Sequence, residues 1–295
     1  MSFDLREWMA GRLEAVERAL DEWVEEDAPA GLGAAMRYAV LDGGKRLRPL
    51  LVFAASEAVG GNSRAALRAA CATELIHAYS LVHDDMPCMD NDVLRRGKPT
   101  VHVAFGEAQA LLAGDALQAL AFELLTPEDE AIPDAMQARL CRLLAVSAGQ
   151  CGMAGGQAID LASIGKVLDE AQLRHMHRLK TGALLKGSVL MGAACGRADA
   201  QALTALEAYG AALGLAFQVV DDILDVTSDA ATLGKTVGKD AANDKPTYVS
   251  LMGLEGARQH AQELLDEALA ALDRSGLPQT DALRGLANMV VNRNN

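Results

Sequence analysis

The chain has 295 residues, of which 51% are apolar and only 4% aromatic, so its core must be built mainly from Ala, Leu, Val and Met. Its 40 acidic residues outweigh 27 basic ones for a formal charge of −13. That charge repels phosphate backbones at long range and excludes a general nucleic-acid binder. An anionic ligand would have to be gripped locally.

The first seven residues, Met1 to Glu7, mix charges where an export signal needs a basic start followed by an apolar run, so none is expected. Leu5, Trp8, Met9, Leu13, Val16, Leu20 and Trp23 then recur at three- and four-residue intervals, which predicts an amphipathic helix. Further along, Ala- and Leu-rich segments are separated by Gly60-Gly61-Asn62, Thr126 to Pro133, Ser163 to Gly165 and Ser275 to Pro278, all read as turns. Near the end the helical period returns in Ala261, Leu264, Leu265, Ala268, Leu269 and Leu272. Long alternating stretches are missing and β-branched residues are sparse, so the expectation is an all-α fold, one domain over residues 1–295.

Apolar runs such as Leu117 to Phe122 are soon interrupted by charge, well short of the roughly 18–20 uncharged residues of a membrane helix. Cys71, Cys88, Cys141, Cys151 and Cys195 are odd in number and never spaced as Cys-x-x-Cys. They are read as reduced thiols of a cytoplasmic protein, with neither disulfides nor a zinc site.

Two acidic clusters carry the chemistry. Asp84-Asp85-Met86-Pro87-Cys88-Met89-Asp90 precedes Arg95-Arg96-Gly97-Lys98, and Asp221-Asp222-Ile223-Leu224-Asp225 precedes Gly234-Lys235. On a helix Gln218, Asp221, Asp222 and Asp225 fall within an arc of roughly 100°, forming one polar stripe in an apolar segment. Carboxylates so crowded and partly dehydrated require something positive among them. His77 shares a helix face with Asp84, whereas Pro87 predicts that the helix ends or distorts near Met86 and that the chain curls Asp90 back toward Asp84. Oxygen ligands without thiolates suit Mg²⁺, which takes one or two carboxylates and leaves its other positions to water or substrate phosphate. Lys and Arg beside such an ion make a site for a phosphate ester, and Gly43-Gly44 let the backbone present Lys45 and Arg48 to it.

Other patterns have plainer readings. Glu74 and His77 form a Glu-x-x-His pair, but no second pair exists to complete a di-iron bundle. His175 and His177 lie on different helix faces and are read as surface or packing residues. The glycines from Gly149 to Gly156 lack the Gly-Lys-Ser/Thr of a phosphate loop and are read as close helix packing. Arg293 is read as part of a frayed tail, with closure over a second substrate as the other reading.

The order of these pieces resembles the trans-isoprenyl diphosphate synthases, with the bacterial farnesyl diphosphate synthases most similar. The matching segments are Gly43 to Pro49, His77 to Asp85 with Asp90, Arg95 to Thr100, Gly155-Gly156-Gln157, Lys180-Thr181-Gly182, and Gln218 to Asp225 with Lys235 and Lys245. Asn91 interrupts the usual acidic run, and Pro246 and Val249 depart from the pattern around Lys245.

The resemblance implies a helical bundle around a deep cavity, usually in a homodimer. It implies Asp84, Asp90 and Asp221 as principal Mg²⁺ ligands, with Asp85 and Asp225 secondary and Mn²⁺ as a possible substitute. Arg95, Lys180, Lys235 and Lys245 would contact an allylic diphosphate, dimethylallyl or geranyl. Lys45, Arg48, His77 and Arg96 would hold isopentenyl diphosphate, while Thr181 and Gln218 would steady an allylic cation. For product length, helix geometry selects Ser80, four residues before Asp84, whereas the family pattern selects Tyr79 and a fifteen-carbon product. Alternatives are ten- or twenty-carbon synthases and a non-catalytic partner subunit.

Overall fold

The computed structural model describes residues 3–41, 43–128, 132–227 and 247–293. Helices dominate it. In chain order they are α1 (Leu5–Trp23), α2 (Leu32–Val40), α3 (Leu47–Ala58), α4 (Ser63–Asp84), α5 (Val101–Phe105), α6 (Glu107–Leu125), α7 (Asp134–Ala148), α8 (Met153–Ala162), α9 (Glu170–His177), α10 (Ala183–Ala194), α11 (Ala200–Thr227), α12 (Tyr248–Asp273) and α13 (Asp281–Val291). Extended structure among the described residues is one antiparallel pair, Leu94–Arg95 against Lys98–Pro99. The all-α expectation holds, and the expected turns fall between helices.

Local chemistry starts the helices where it should. Asp4 accepts hydrogen bonds from the amides of Arg6 and Glu7 at the head of α1, and Asn62 does the same for Arg64 and Ala65 at the head of α4. A run of alanines, Ala65, Ala66, Ala69, Ala70 and Ala72, keeps α4 thin enough to be buried between α3 and α6. Apolar side chains of α1 to α4, α6 and α7 form one cluster, and those of α3 and α10 to α13 form another. On α4 the first cluster runs up to Val82, about half a turn before Asp84 at the end of that helix, and the second reaches Leu213 on α11, about two turns before Asp221 in the last part of that helix.

Two helices reach the mean hydropathy of membrane spans, Glu107–Leu125 at 1.2 and Ala200–Thr227 at 1.4, although neither offers a long uncharged run. For Ala200–Thr227 the reason is internal, since 61% of its apolar window is buried in the protein. A core helix passes the same hydropathy test.

Between α9 and α10 the chain does not break. Residues Arg178–Gly182 form a wider π-helical turn, an arrangement that displaces side chains from the regular α register. Two glycines make room for it. A β-carbon on Gly156 of α8 would stand 2.0 Å from the Lys180 amide nitrogen, and one on Gly214 of α11 would stand 2.8 Å from the Gly182 Cα. The sequence reading of Gly149 to Gly156 as close packing is therefore correct at Gly156. Because backbone rather than a flexible side chain blocks the space, Gly156→Ala is expected to lower unfolding free energy by about 2–3 kcal/mol. Urea denaturation checks this, and a loss under about 0.5 kcal/mol would contradict it.

Candidate active site

The last turn of α4 builds the first acidic cluster. The helix ends at Asp84, two residues ahead of the expected break, and Asp85 caps it. The chain then curls as expected. The Asp90 amide donates to the Asp84 carbonyl at 2.9 Å, and the Asn91 amide donates to that of Met86 at 3.1 Å. Asn91 has φ 52°, a left-handed conformation that Asn tolerates better than most residues, which accounts for its place in the acidic run. Asp85 is buried and takes both arms of Arg95, Nε to Oδ2 at 2.8 Å and Nη2 to Oδ1 at 2.5 Å. These two predicted site residues are thus partners, tying the two-stranded hairpin to α4. Burial pushes the Asp84 carboxyl up to about 6, and Asp90 and Asp85 push the same way against the opposing pull of Lys180 and Arg95.

On α11 the predicted stripe is divided. Asp221 and Asp225 line a cavity of about 690 Å³. Asp222 is committed elsewhere, accepting from Gln218 Nε2 at 2.9 Å and from the Tyr248 amide at 2.8 Å. The positive partner that crowding demanded is Arg293. Its Nη2 donates to Asp221 at 2.5 Å and to the Phe217 carbonyl at 2.9 Å, and its guanidinium lies 4.0 Å over the Phe217 ring. The reading of Arg293 as frayed is corrected: a carboxylate and an aromatic face 72 to 76 residues away hold it. Lys235 and Lys245 lie outside the described residues.

The π-helical turn carries Lys180 and Thr181. Lys180 Nζ donates to Asp160 of α8 at 2.5 Å, and Thr181 Oγ1 donates to Gln218 Oε1 at 2.9 Å. A chain of hydrogen bonds thereby runs from the head of α12 through Asp222 and Gln218 to Thr181. Sequence reasoning missed Asp160. The available signal was a buried carboxylate on an otherwise apolar helix, which requires a cation.

Lys45, Arg48, His77 and Arg96 also line the larger cavity. Arg48 and His77 border a second one of about 380 Å³ as well, shared with Tyr79, Ser80, Asp84, Lys180 and Thr181. The two cavities therefore meet at an arginine and a histidine. Burial, followed by the neighbouring Arg48, Arg96, Arg95 and Arg46, drives the His77 imidazole well below its usual value, so it is neutral at pH 7. Burial also lowers Arg48, whose Nε has no hydrogen-bond partner among the described protein groups. A dehydrated guanidinium with an unused donor is a ready anion site. Glu74 pairs with Arg46 at 2.7 Å, which removes it from any Glu-x-x-His metal pair. His175 is exposed beside Arg178, and His177 packs on Tyr248, as their plain readings required.

Tyr79 and Ser80 both reach the second cavity, but they use it differently. Ser80 turns its hydroxyl back to the His77 carbonyl at 2.8 Å, while Tyr79 presents a ring edge-on to His83 at 5.7 Å.

The donor set fits Mg²⁺. Its oxygen donors come without thiolates, and among the described residues no three carboxylate, imidazole or thiolate groups converge into a cage. Asp84 is also dehydrated beside like charges, a position that a cation would relieve.

A family profile described as polyprenyl synthetase matches residues 29–279. The chain belongs to the polyprenyl synthetase family. It is 50% identical over 282 residues to a probable farnesyl diphosphate synthase of Sinorhizobium fredii, covering 94% of this chain and 84% of the relative. It is 44% identical over 297 residues to a chloroplastic geranylgeranyl pyrophosphate synthase of Catharanthus roseus, covering 100% and 83%. Among solved structures, a geranyltransferase from Helicobacter pylori complexed with magnesium and isoprenyl diphosphate superposes with TM-score 0.85 at 36% identity, covering 99% and 98%. Membership makes this chain a transferase.

The raised Asp84 carboxyl has a signed consequence. Its folded value of about 6 exceeds the ordinary 3.8, so its contribution to stability is complete below pH 3.8 and is lost as pH rises through about 6. In metal-free protein at pH 7.5, Asp84→Asn is expected to raise the thermal midpoint by roughly 2–6 °C, with the gain fading toward pH 4. Thermal scans at both pH values check it, and a destabilised variant at pH 7.5 would contradict it.

Proposed function

We propose that the protein condenses isopentenyl diphosphate with dimethylallyl or geranyl diphosphate, head to tail, to give farnesyl diphosphate and diphosphate. The observation that carries the reading is the junction of the two cavities at Arg48 and His77. One cavity offers the Arg48 guanidinium with an unused Nε donor, and the other runs from Asp84 and Lys180 to the Tyr79 ring.

In this reading Asp84, Asp90 and Asp221, with Asp85 and Asp225 behind them, hold Mg²⁺ or Mn²⁺. When bound, the metal neutralises diphosphate oxygens as negative charge gathers on the leaving group. Lys180 and Arg95 add positive charge where the allylic carbon–oxygen bond breaks, and Lys235 and Lys245 are assigned to the same diphosphate. Charge placed beforehand where charge develops is what lowers the barrier. Lys45, Arg48 and Arg96 grip isopentenyl diphosphate, and neutral His77 hydrogen-bonds to it. Its double bond attacks the allylic cation, a carbon–carbon bond forms, and a proton leaves to the released diphosphate.

Thr181 and Gln218 supply oxygen dipoles for the cation. Their orientation is supported by the hydrogen bonds that aim the Gln218 amide nitrogen at Asp222 and its oxygen at Thr181. Apolar walls, Met89, Met153 and Leu161 among them, keep water from trapping the intermediate.

The chain is read as one catalytic unit that acts as a homodimer in the cytoplasm. Dimerisation is supported by the exposed apolar residues Val103, Leu111, Leu112 and Val146 on the adjacent helices α5, α6 and α7, a face that a second copy would cover. The cytoplasm is supported by five free thiols, with Cys88 and Cys151 exposed.

Incubation with Mg²⁺, isopentenyl diphosphate and geranyl diphosphate is expected to yield the fifteen-carbon product. A folded protein that makes none would favour the partner-subunit reading, and a twenty-carbon product would transfer the chain to the geranylgeranyl synthases. Tyr79→Ala is expected to lengthen the product by at least one five-carbon unit, read by chromatography of the dephosphorylated alcohols. An unchanged spectrum would remove Tyr79 from chain-length control.

A further inference from the structure

The turn that presents Lys45 and Arg48 has an unusual backbone. Gly43, Gly44 and Arg46 have φ of 73°, 137° and 46°, three left-handed residues within four. Glycine adopts such angles freely, but arginine does so only when its surroundings over-determine the position.

Arg46 is so determined. Its side chain is 2% exposed. Nε and Nη2 donate to the two oxygens of Glu17 on α1 at 2.6 and 3.0 Å, Nη1 donates to Glu74 on α4 at 2.7 Å, and Nη2 donates again to the Val40 carbonyl at the end of α2 at 2.7 Å. Four hydrogen bonds thus occupy a group that has five N–H donors. Arg48, two residues on, keeps an Nε without a partner. One arginine has most of its donors taken by protein, and the other keeps one for a ligand.

The contacts also set the turn against the rest of the site. Glu74 lies three residues before His77 on α4, so the same helix that carries the imidazole anchors the turn. From the other side, Arg96 Nη1 donates to the Gly43 carbonyl at 2.6 Å, and its guanidinium lies 3.0–3.2 Å from where a Gly44 β-carbon would stand. Only a planar fork satisfies Glu17 with two donors while reaching Glu74 with a third.

We propose that Arg46 is a positioning residue: gripped by Glu17 and Glu74, it holds the 43–48 turn in the strained shape that directs Lys45 and Arg48 at the larger cavity, and so sets affinity for the non-allylic diphosphate ester. The inference rests on the assignment of Lys45 and Arg48 to isopentenyl diphosphate.

Steady-state kinetics with both substrates varied, paired with thermal melts, test it. Arg46→Lys, which keeps the charge and loses the fork, is expected to raise KM for isopentenyl diphosphate about tenfold while KM for geranyl diphosphate and kcat stay within about twofold. Glu17→Gln removes one charge at the half-exposed partner and spares the buried pair, so it remains testable if the lysine variant fails to fold. Its expected rise is about threefold in the same KM alone. A lower melting point with the isopentenyl KM unchanged, in whichever of the two variants folds, would make the cluster merely structural and overturn the proposal. An equal rise in both KM values would also overturn it. Lys45→Ala separates the two levels: if it leaves the isopentenyl KM unchanged, the site assignment itself fails, whereas a rise there without one in the Arg46 and Glu17 variants rejects only the positioning role.

Discussion

Charge taken out of water inside a bundle of alanine and leucine must meet an opposite charge, and that constraint organises the site more than any single motif does. Asp85 meets Arg95, Asp160 meets Lys180, Asp221 meets Arg293 and Glu74 meets Arg46, each pair tying together different elements of the fold. What these pairs leave over is informative. At Asp84 burial, with Asp90 and Asp85, outweighs the nearby Lys180 and Arg95, and Arg48 keeps an Nε donor without a partner among the described groups. On the reading proposed above, these two groups, on cavities that share Arg48 and His77, would serve a divalent metal and a diphosphate together.

Rigidity around that site comes from small residues. Gly156 and Gly214 let α8 and α11 press on the π-helical turn, so Lys180 and Thr181 sit on backbone held from both sides. The hydrogen-bond chain from the Tyr248 amide through Asp222 and Gln218 to Thr181 fixes which way the amide oxygen points, a choice that would otherwise be free. In the mechanism proposed above, dipoles already in place would need no reorganisation as the allylic cation forms.

Much of this was legible in the sequence where the cause is local. The period of α1 gave its bounds, Leu5 to Trp23, and Pro87 announced the end of α4 and the return of Asp90. The polar stripe on α11 was visible from helix geometry alone. Its division was not, because the groups that claim Asp222 and Asp221 include the Tyr248 amide and Arg293, 26 and 72 residues away. Asp160 and Arg46 were overlooked for the same reason: a charge that serves another charge has no spacing signature of its own. Helical projection favoured Ser80 over Tyr79, and both side chains border the same cavity, because a projection places Cα atoms and leaves out how far an aromatic ring reaches.

The central claim is that the two acidic clusters grip a pyrophosphate group only through divalent cations. Calorimetric titration of inorganic pyrophosphate into the protein, with and without Mg²⁺, tests it without relying on turnover. Binding is expected only when Mg²⁺ is present, and it is expected to be lost when Asp84 and Asp221 are both replaced by Asn in a protein that still folds. Equal affinity for pyrophosphate with Mg²⁺ absent, or in that double variant, would contradict the account.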